Sequence, residues 1–157
     1  MTIKLQRLGH ILVNVRDIER AKAFYTGILG FKVLEQDPGH GGLFLALGDY
    51  GNTLDLFQST DPDDCPQPKS ELGKRNGLGV RHIAFAVATE EDLRQAYFAL
   101  QDAGVPIYRA VDHTSQKSVY FYDPDGNLLE FVWERPNVRE IFAAGRQDGD
   151  APLTFAR

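Results

Sequence analysis

An α+β fold made of two tandem βαβββ modules is what this sequence predicts, on three observations. Residues 8–15 (LGHILVNV) reappear as residues 80–87 (VRHIAFAV), and residues 44–57 (FLALGDYGNTLDLF) align without a gap on residues 119–132 (VYFYDPDGNLLEFV). After each first strand, a capping residue precedes an apolar pattern of helical spacing. At 157 residues the chain suits a single domain of duplicated halves better than two independent domains. The modules fall at 8–58 and 80–134, joined by a loop at 59–79 and followed by a tail at 135–157.

Residues 9–15 read as a strand because side chains alternate: Ile11, Val13 and Val15 point one way, His10, Leu12 and Asn14 the other. Asp17 stands at the N-cap of a helix carrying Ile18, Ala21, Phe24, Tyr25 and Ile28, which Gly30 ends. Three short β-rich segments follow at 31–36, 42–47 and 52–58, separated by Gly, Pro, Asp and Asn. The stretch 59–79 is Pro, Asp, Lys and Gly with little periodicity, the text of a joint. In the second half, Thr89 and Asp92 have the spacing of a capping box, and Leu93, Ala96, Tyr97 and Leu100 continue as the helix. Gly104 closes it and residues 105–111 resume β structure. Asp123-Pro124-Asp125-Gly126 carries the residues of a type I turn. In the tail, Val138, Ile141, Phe142, Leu153 and Phe155 are enough to dock on something but too few for a separate fold.

Composition narrows the function. A formal net charge of −5 without a long Lys/Arg run argues against nucleic acid or an anionic membrane as partner, leaving a small molecule or another protein. No stretch approaches a membrane span and no signal-peptide block follows the start, so a cytoplasmic location is expected. Cys65 is the single cysteine, which excludes an intrachain disulfide, and no Cys–His partner can be placed beside it. His40, in a Gly-rich turn, reads as a loop residue.

Strand parity gathers the chemistry. His10 and His82 occupy matched positions on the face away from the helices, and the same parity puts Asp55 and Glu130 on the histidines' side. A lone strand histidine is more often a hydrogen-bonded structural residue than a ligand. Four polar residues at matched places in two repeats are hard to attribute to chance. An ionised carboxylate on an apolar face is costly without a cation. Two imidazoles with one carboxylate suit Fe(II), Mn, Zn, Ni or Co and leave coordination positions open. Pocket walls fall to Leu12, Asn14, Phe57, Ala84, Tyr120 and Tyr122.

Residues 8–134, and above all the phrase YDPDGNLLE at 122–130, resemble the vicinal oxygen chelate superfamily. That group includes glyoxalase I, methylmalonyl-CoA epimerase, bleomycin-binding proteins, fosfomycin-modifying enzymes and extradiol ring-cleaving dioxygenases. The resemblance implies the glyoxalase/dioxygenase fold, a curved mixed sheet around a divalent metal held by His10, His82 and Glu130. The run Val111-Asp112-His113, five residues, Val119-Tyr120, two residues, Asp123-Pro124-Asp125-Gly126, three residues, Glu130 is similar to the extradiol signature. By that likeness His113 and Tyr120 lie beside the metal and hydrogen-bond to a catecholate or to bound oxygen. The implied activity is Fe(II)-dependent cleavage of a catechol-like substrate with O2, in a homodimer.

The sequence departs from the pattern twice. Residues 59–81 lack the further histidine that extradiol enzymes carry there, and Asp55 stands where glyoxalase I has a metal-binding Glu. Asp55 either joins as a fourth ligand or accepts a hydrogen bond beside the metal. As a ligand it favours the alternative, a glyoxalase- or epimerase-type lyase or isomerase using Ni, Zn, Co or Mn on a hydroxy-carbonyl or thioester. A non-catalytic ligand-binding protein is the third reading, and the intact metal trio counts against it.

Overall fold

A computed structural model describes residues 3–37, 39, 41–61, 80–145 and 149–157. His40, Cys65 and most of the predicted joint lie outside the described residues. The chain divides into two compact units, Met1–Cys65 and Pro66–Arg157. Each holds one βαβββ module with its own sheet. Among the described residues no helix is long and apolar enough to cross a membrane.

In the first unit the elements are β1 (Ile11–Val15), α1 (Ile18–Gly27), β2 (Lys32–Asp37), β3 (Gly42–Ala46) and β4 (Asn52–Gln58). The sheet order is β1-β4-β3-β2, with β1 parallel to β4 and the other pairs antiparallel. Asp17 caps α1 as expected, its carboxylate accepting from Arg20 N at 2.9 Å. Leu43 faces Leu56 and Leu45 faces Leu54 across the β3–β4 ladder, all four buried. With Ala21, Phe24 and Tyr25 of α1, they form the core that holds helix to sheet. Parity then gives the other face Leu12, Phe44, Asp55 and Phe57. Gly42 is required there, because a Cβ would lie 2.9 Å from Cζ of the Phe57 ring opposite it.

In the second unit, β5 (Ile83–Ala86), α2 (Glu90–Asp102), β6 (Ile107–Asp112), β7 (Gln116–Tyr122) and β8 (Leu128–Glu134) repeat the plan. The tail adds α3 (Val138–Ala143) and β9 (Ala151–Pro152), giving the order β5-β8-β7-β6-β9. Thr89 and Asp92 form the full capping box of α2. Ile83, Phe121 and Leu129 align along one row of the helix-side face, and Phe85, Val119 and Phe131 along the next. Leu93 and Leu100 of α2 are buried against that side.

Two details differ from the expectation. The parallel ladders begin at Ile11 with Leu54 and at Ile83 with Leu129, so His10 and His82 sit one residue before their strands. The cause is the parallel pairing: backbone hydrogen bonding starts only where the partner strand is reached. The tail also finds a specific seat. β9 pairs antiparallel with the β6 edge, Leu153 N donates to Ala110 O at 3.1 Å, and the Phe155 and Tyr97 ring centroids lie 5.0 Å apart. An otherwise open strand edge is thereby covered.

Leu129 is fully buried at the centre of the second core. Leu129→Ala should cost about 2–5 kcal/mol, transfer and cavity terms together. A urea unfolding midpoint equal to wild type would show that the core does not rest on this position.

Candidate functional site

Each unit presents one imidazole beside one buried carboxylate. In the first, His10 Nε2 lies 3.5 Å from Asp55 Oδ2. In the second, His82 Nε2 lies 2.9 Å from Glu130 Oε2, and Glu130 is only 2% exposed. The remaining oxygens, Asp55 Oδ1 and Glu130 Oε1, are buried without a hydrogen-bond partner. Leaving a buried carboxylate oxygen unsatisfied is expensive, and a divalent cation is a partner that removes the cost. The donor set, imidazole nitrogen plus carboxylate oxygen, suits such an ion. Among the described residues no three His, Cys, Asp or Glu side chains gather into a ready cage, and each unit presents a two-donor pair.

The register that places Glu130 comes from the turn before it. Asp123 O accepts from Gly126 N at 3.1 Å, and Asp123 Oδ1 accepts from the backbone N–H groups of Asp125 and Asn127 at 3.0 and 2.8 Å. Asn127 Nδ2 donates to the other carboxylate oxygen at 2.9 Å, and Gly126 takes φ +82°. This locked turn pairs Tyr122 with Leu128 and hence Tyr120 with Glu130. Beyond them, Arg109 of β6 pairs with Tyr120 and Ala84 of β5 with Glu130, so one row crosses four strands.

Tyr120 is the junction of that row. Its ring meets His82 edge-on at 5.6 Å, and the Arg109 guanidinium lies over it at 4.9 Å. Its hydroxyl hydrogen-bonds to His113 Nε2 at 3.1 Å. Burial, followed by the negative charge of the neighbouring Glu130, holds that hydroxyl above the ordinary phenol pKa, against smaller opposing effects from Ser118 and Arg109. Tyr120 therefore keeps its proton at neutral pH.

His113 is 7% exposed and fixed by a tight hairpin turn. His113 N donates to Gln116 O at 2.8 Å and Ser115 N to His113 O at 2.7 Å. Thr114 between them takes φ +67°, a left-handed conformation costly for a β-branched residue. Arg135 clamps the turn, donating to Thr114 O and to Asp112 Oδ2, each at 2.8 Å. The other ring nitrogen, Nδ1, lies 2.7 Å from Asp150 Oδ1 in the tail.

Glu130, His82, Tyr120 and His113 thus form one connected group in the second unit, while His10 and Asp55 pair in the first. Sequence reasoning missed Arg109 and Asp150. A one-residue irregularity between Ile107 and Arg109 shifts the parity of β6 and turns Arg109 toward Tyr120. Asp150 stands 37 residues from His113, with no spacing rule to link them.

The family model described as Glyoxalase/Bleomycin resistance protein/Dioxygenase superfamily matches residues 7–131. The chain belongs to that superfamily. Catechol-2,3-dioxygenase of Bacillus subtilis is 27% identical over 129 residues, which are 82% of this chain but 42% of that protein. This chain therefore spans less than half of that relative's length. Metallothiol transferase FosB of Lysinibacillus sphaericus is 30% identical over 129 residues, 81% of this chain and 82% of that one. A glyoxalase/dioxygenase from Nostoc punctiforme shares the fold at a TM-score of 0.67 and 23% identity, covering 86% of this chain and 99% of that one. The superfamily generally uses a divalent metal ion and includes both dioxygenases and transferases, so its fold alone does not choose a reaction.

In this superfamily chain the Asp123 carboxylate sets the turn that aligns Tyr120 with Glu130. Asp123→Ala should lower stability by about 1–3 kcal/mol by stranding the N–H groups it accepts from. Thermal unfolding within a degree of wild type would show that the turn holds itself without that carboxylate.

Proposed function

We propose that this chain is a metal-dependent dioxygenase of extradiol type acting on a catechol-like small molecule, with His10, His82 and Glu130 as metal ligands and Asp55 as a fourth candidate donor. The observation that carries the reading is the Tyr120–His113 hydrogen bond beside the His82–Glu130 pair. The proposed ligands would hold a divalent ion, iron(II) before Mn, Ni, Zn or Co, which would supply Lewis-acid polarisation of the substrate and, as iron(II), electron exchange with O2. Tyr120 offers its retained proton to a substrate oxygen, and His113 takes or returns that proton through Nε2. His113 thereby serves as the acid–base group whose usual place, in the stretch before His82, holds no histidine. Both atoms of O2 enter the product and one ring C–C bond beside the diol breaks, so no external reductant is consumed.

A homodimer in the cytoplasm belongs to the same reading. Val33 and Leu34, on the edge strand β2, are 42% and 53% exposed, which favours a covering partner.

A second reading is favoured by Asp55, whose buried Oδ1 lacks a donor. Were Asp55 a fourth protein ligand, fewer positions would be left open for a diol together with O2. Lewis-acid isomerase, lyase or transferase chemistry would then follow.

Protein loaded anaerobically with Fe(II) and given catechol or 3-methylcatechol should consume one O2 per substrate and yield a yellow ring-opened product. Metal-dependent turnover of a hydroxy-carbonyl or epoxide substrate without O2 uptake would replace the first reading with the second. His82→Ala should lose the bound metal by elemental analysis, and unchanged stoichiometry in that variant would remove His82 from the ligand set.

A further inference from the structure

We propose that Asp150, carried on the C-terminal tail, is a positioning residue that fixes the tautomer and ring orientation of His113 so that Nε2 faces the Tyr120 hydroxyl as an acceptor. Its bearing on turnover rests on the dioxygenase reading above; the contact itself does not.

The geometry is directional. An ionised carboxylate can only accept, so the Asp150 Oδ1 contact calls for a hydrogen on His113 Nδ1 and leaves Nε2, 3.1 Å from the Tyr120 hydroxyl oxygen, as the acceptor. A neutral imidazole that accepts at one nitrogen carries its hydrogen on the other. Nδ1 then donates to Asp150 Oδ1, at 2.7 Å. A carboxylate accepting from Nδ1–H stabilises that tautomer over the alternative, in which Nε2–H would point at the tyrosine proton.

The tail is built to deliver this group. β9 begins one residue after Asp150 and pairs Ala151 with Asp112 and Pro152 with Val111, the residues leading into His113. Leu153 N donates to Ala110 O at 3.1 Å, Arg94 donates to Ala156 O at 3.1 Å, and Arg157 pairs with Asp102 at 2.6 Å. The strand that leads into His113 and the segment that follows Asp150 are thus hydrogen-bonded neighbours. The His113 side of the contact is buried, and the Asp150 side chain is 48% exposed, so replacing it disturbs no core.

The test is ¹⁵N-histidine labelling with long-range ¹H–¹⁵N spectra of the four imidazoles, on metal-free protein. In wild type, His113 should show a protonated Nδ1 and an unprotonated Nε2. Asp150→Ala should move both nitrogens toward the averaged positions of a tautomer mixture and leave the other three histidines in place. Asp150→Asn, whose carboxamide oxygen still accepts, should retain the wild-type pattern. With Fe(II) and catechol, Asp150→Ala should lower kcat about tenfold at nearly constant KM, with Asp150→Asn restoring most of it. A wild-type His113 with its hydrogen on Nε2, or a pattern unmoved by Asp150→Ala, would overturn the proposal. Absence of O2 uptake by wild type together with the expected tautomer shift would leave the positioning role standing and sink the dioxygenase reading instead.

Discussion

A carboxylate held almost entirely away from water, with an imidazole on one oxygen and nothing on the other, is the constraint on which the second unit turns. Glu130 sits in the middle of a five-stranded sheet, 2% exposed. Such a group in a cation-free interior carries an uncompensated desolvation cost. His82 takes one oxygen, Tyr120 stands across the β7–β8 ladder and Ala84, on the other side, offers no bulk. Asp55 stands in the corresponding place of the first unit, at 5% exposure and with the same orphaned oxygen. A metal ion of the kind proposed would answer both orphaned oxygens.

Much of this could be read before any coordinates. Period-2 alternation put Leu54, Leu56 and Leu129 on the helix side and the acids on the other, because a ladder without bulges keeps parity over its whole length. Asp17, Thr89 with Asp92, and the turn at Asp123 were legible because caps and turns use short side chains at fixed local offsets. The starts of β1 and β5 were not, since pairing begins where a distant partner strand arrives. Nor was β9, whose two residues are too few to show any period. Arg109 was hidden by the irregularity in β6, where one extra residue reverses the face. Parity gave each unit its imidazole and its carboxylate on one face, while the tail's contact with His113 is one that no local rule encodes.

The familiar phrase spanning residues 122–130 also acquires a physical meaning. Its Asp, Pro, Gly and Asn residues do no chemistry; they make a turn whose hydrogen bonds fix where β8 begins relative to β7. A slip of one residue would send Glu130 into the apolar layer and Leu129 out of it. The motif secures a register, and under the proposed function His113 and Asp55 are the neighbours that bear on the reaction.

Thr114 shows what that precision costs. A branched residue in a left-handed conformation sacrifices roughly 1–2 kcal/mol that a glycine would keep. Glycine, however, would also widen the range of shapes open to the hairpin tip and let the adjacent imidazole wander. A stiff, slightly uncomfortable link anchored by an arginine gives up a little folding free energy and returns a ring that waits in one pose. Stability and the fixed pose of the neighbouring ring therefore pull in opposite directions at this one residue.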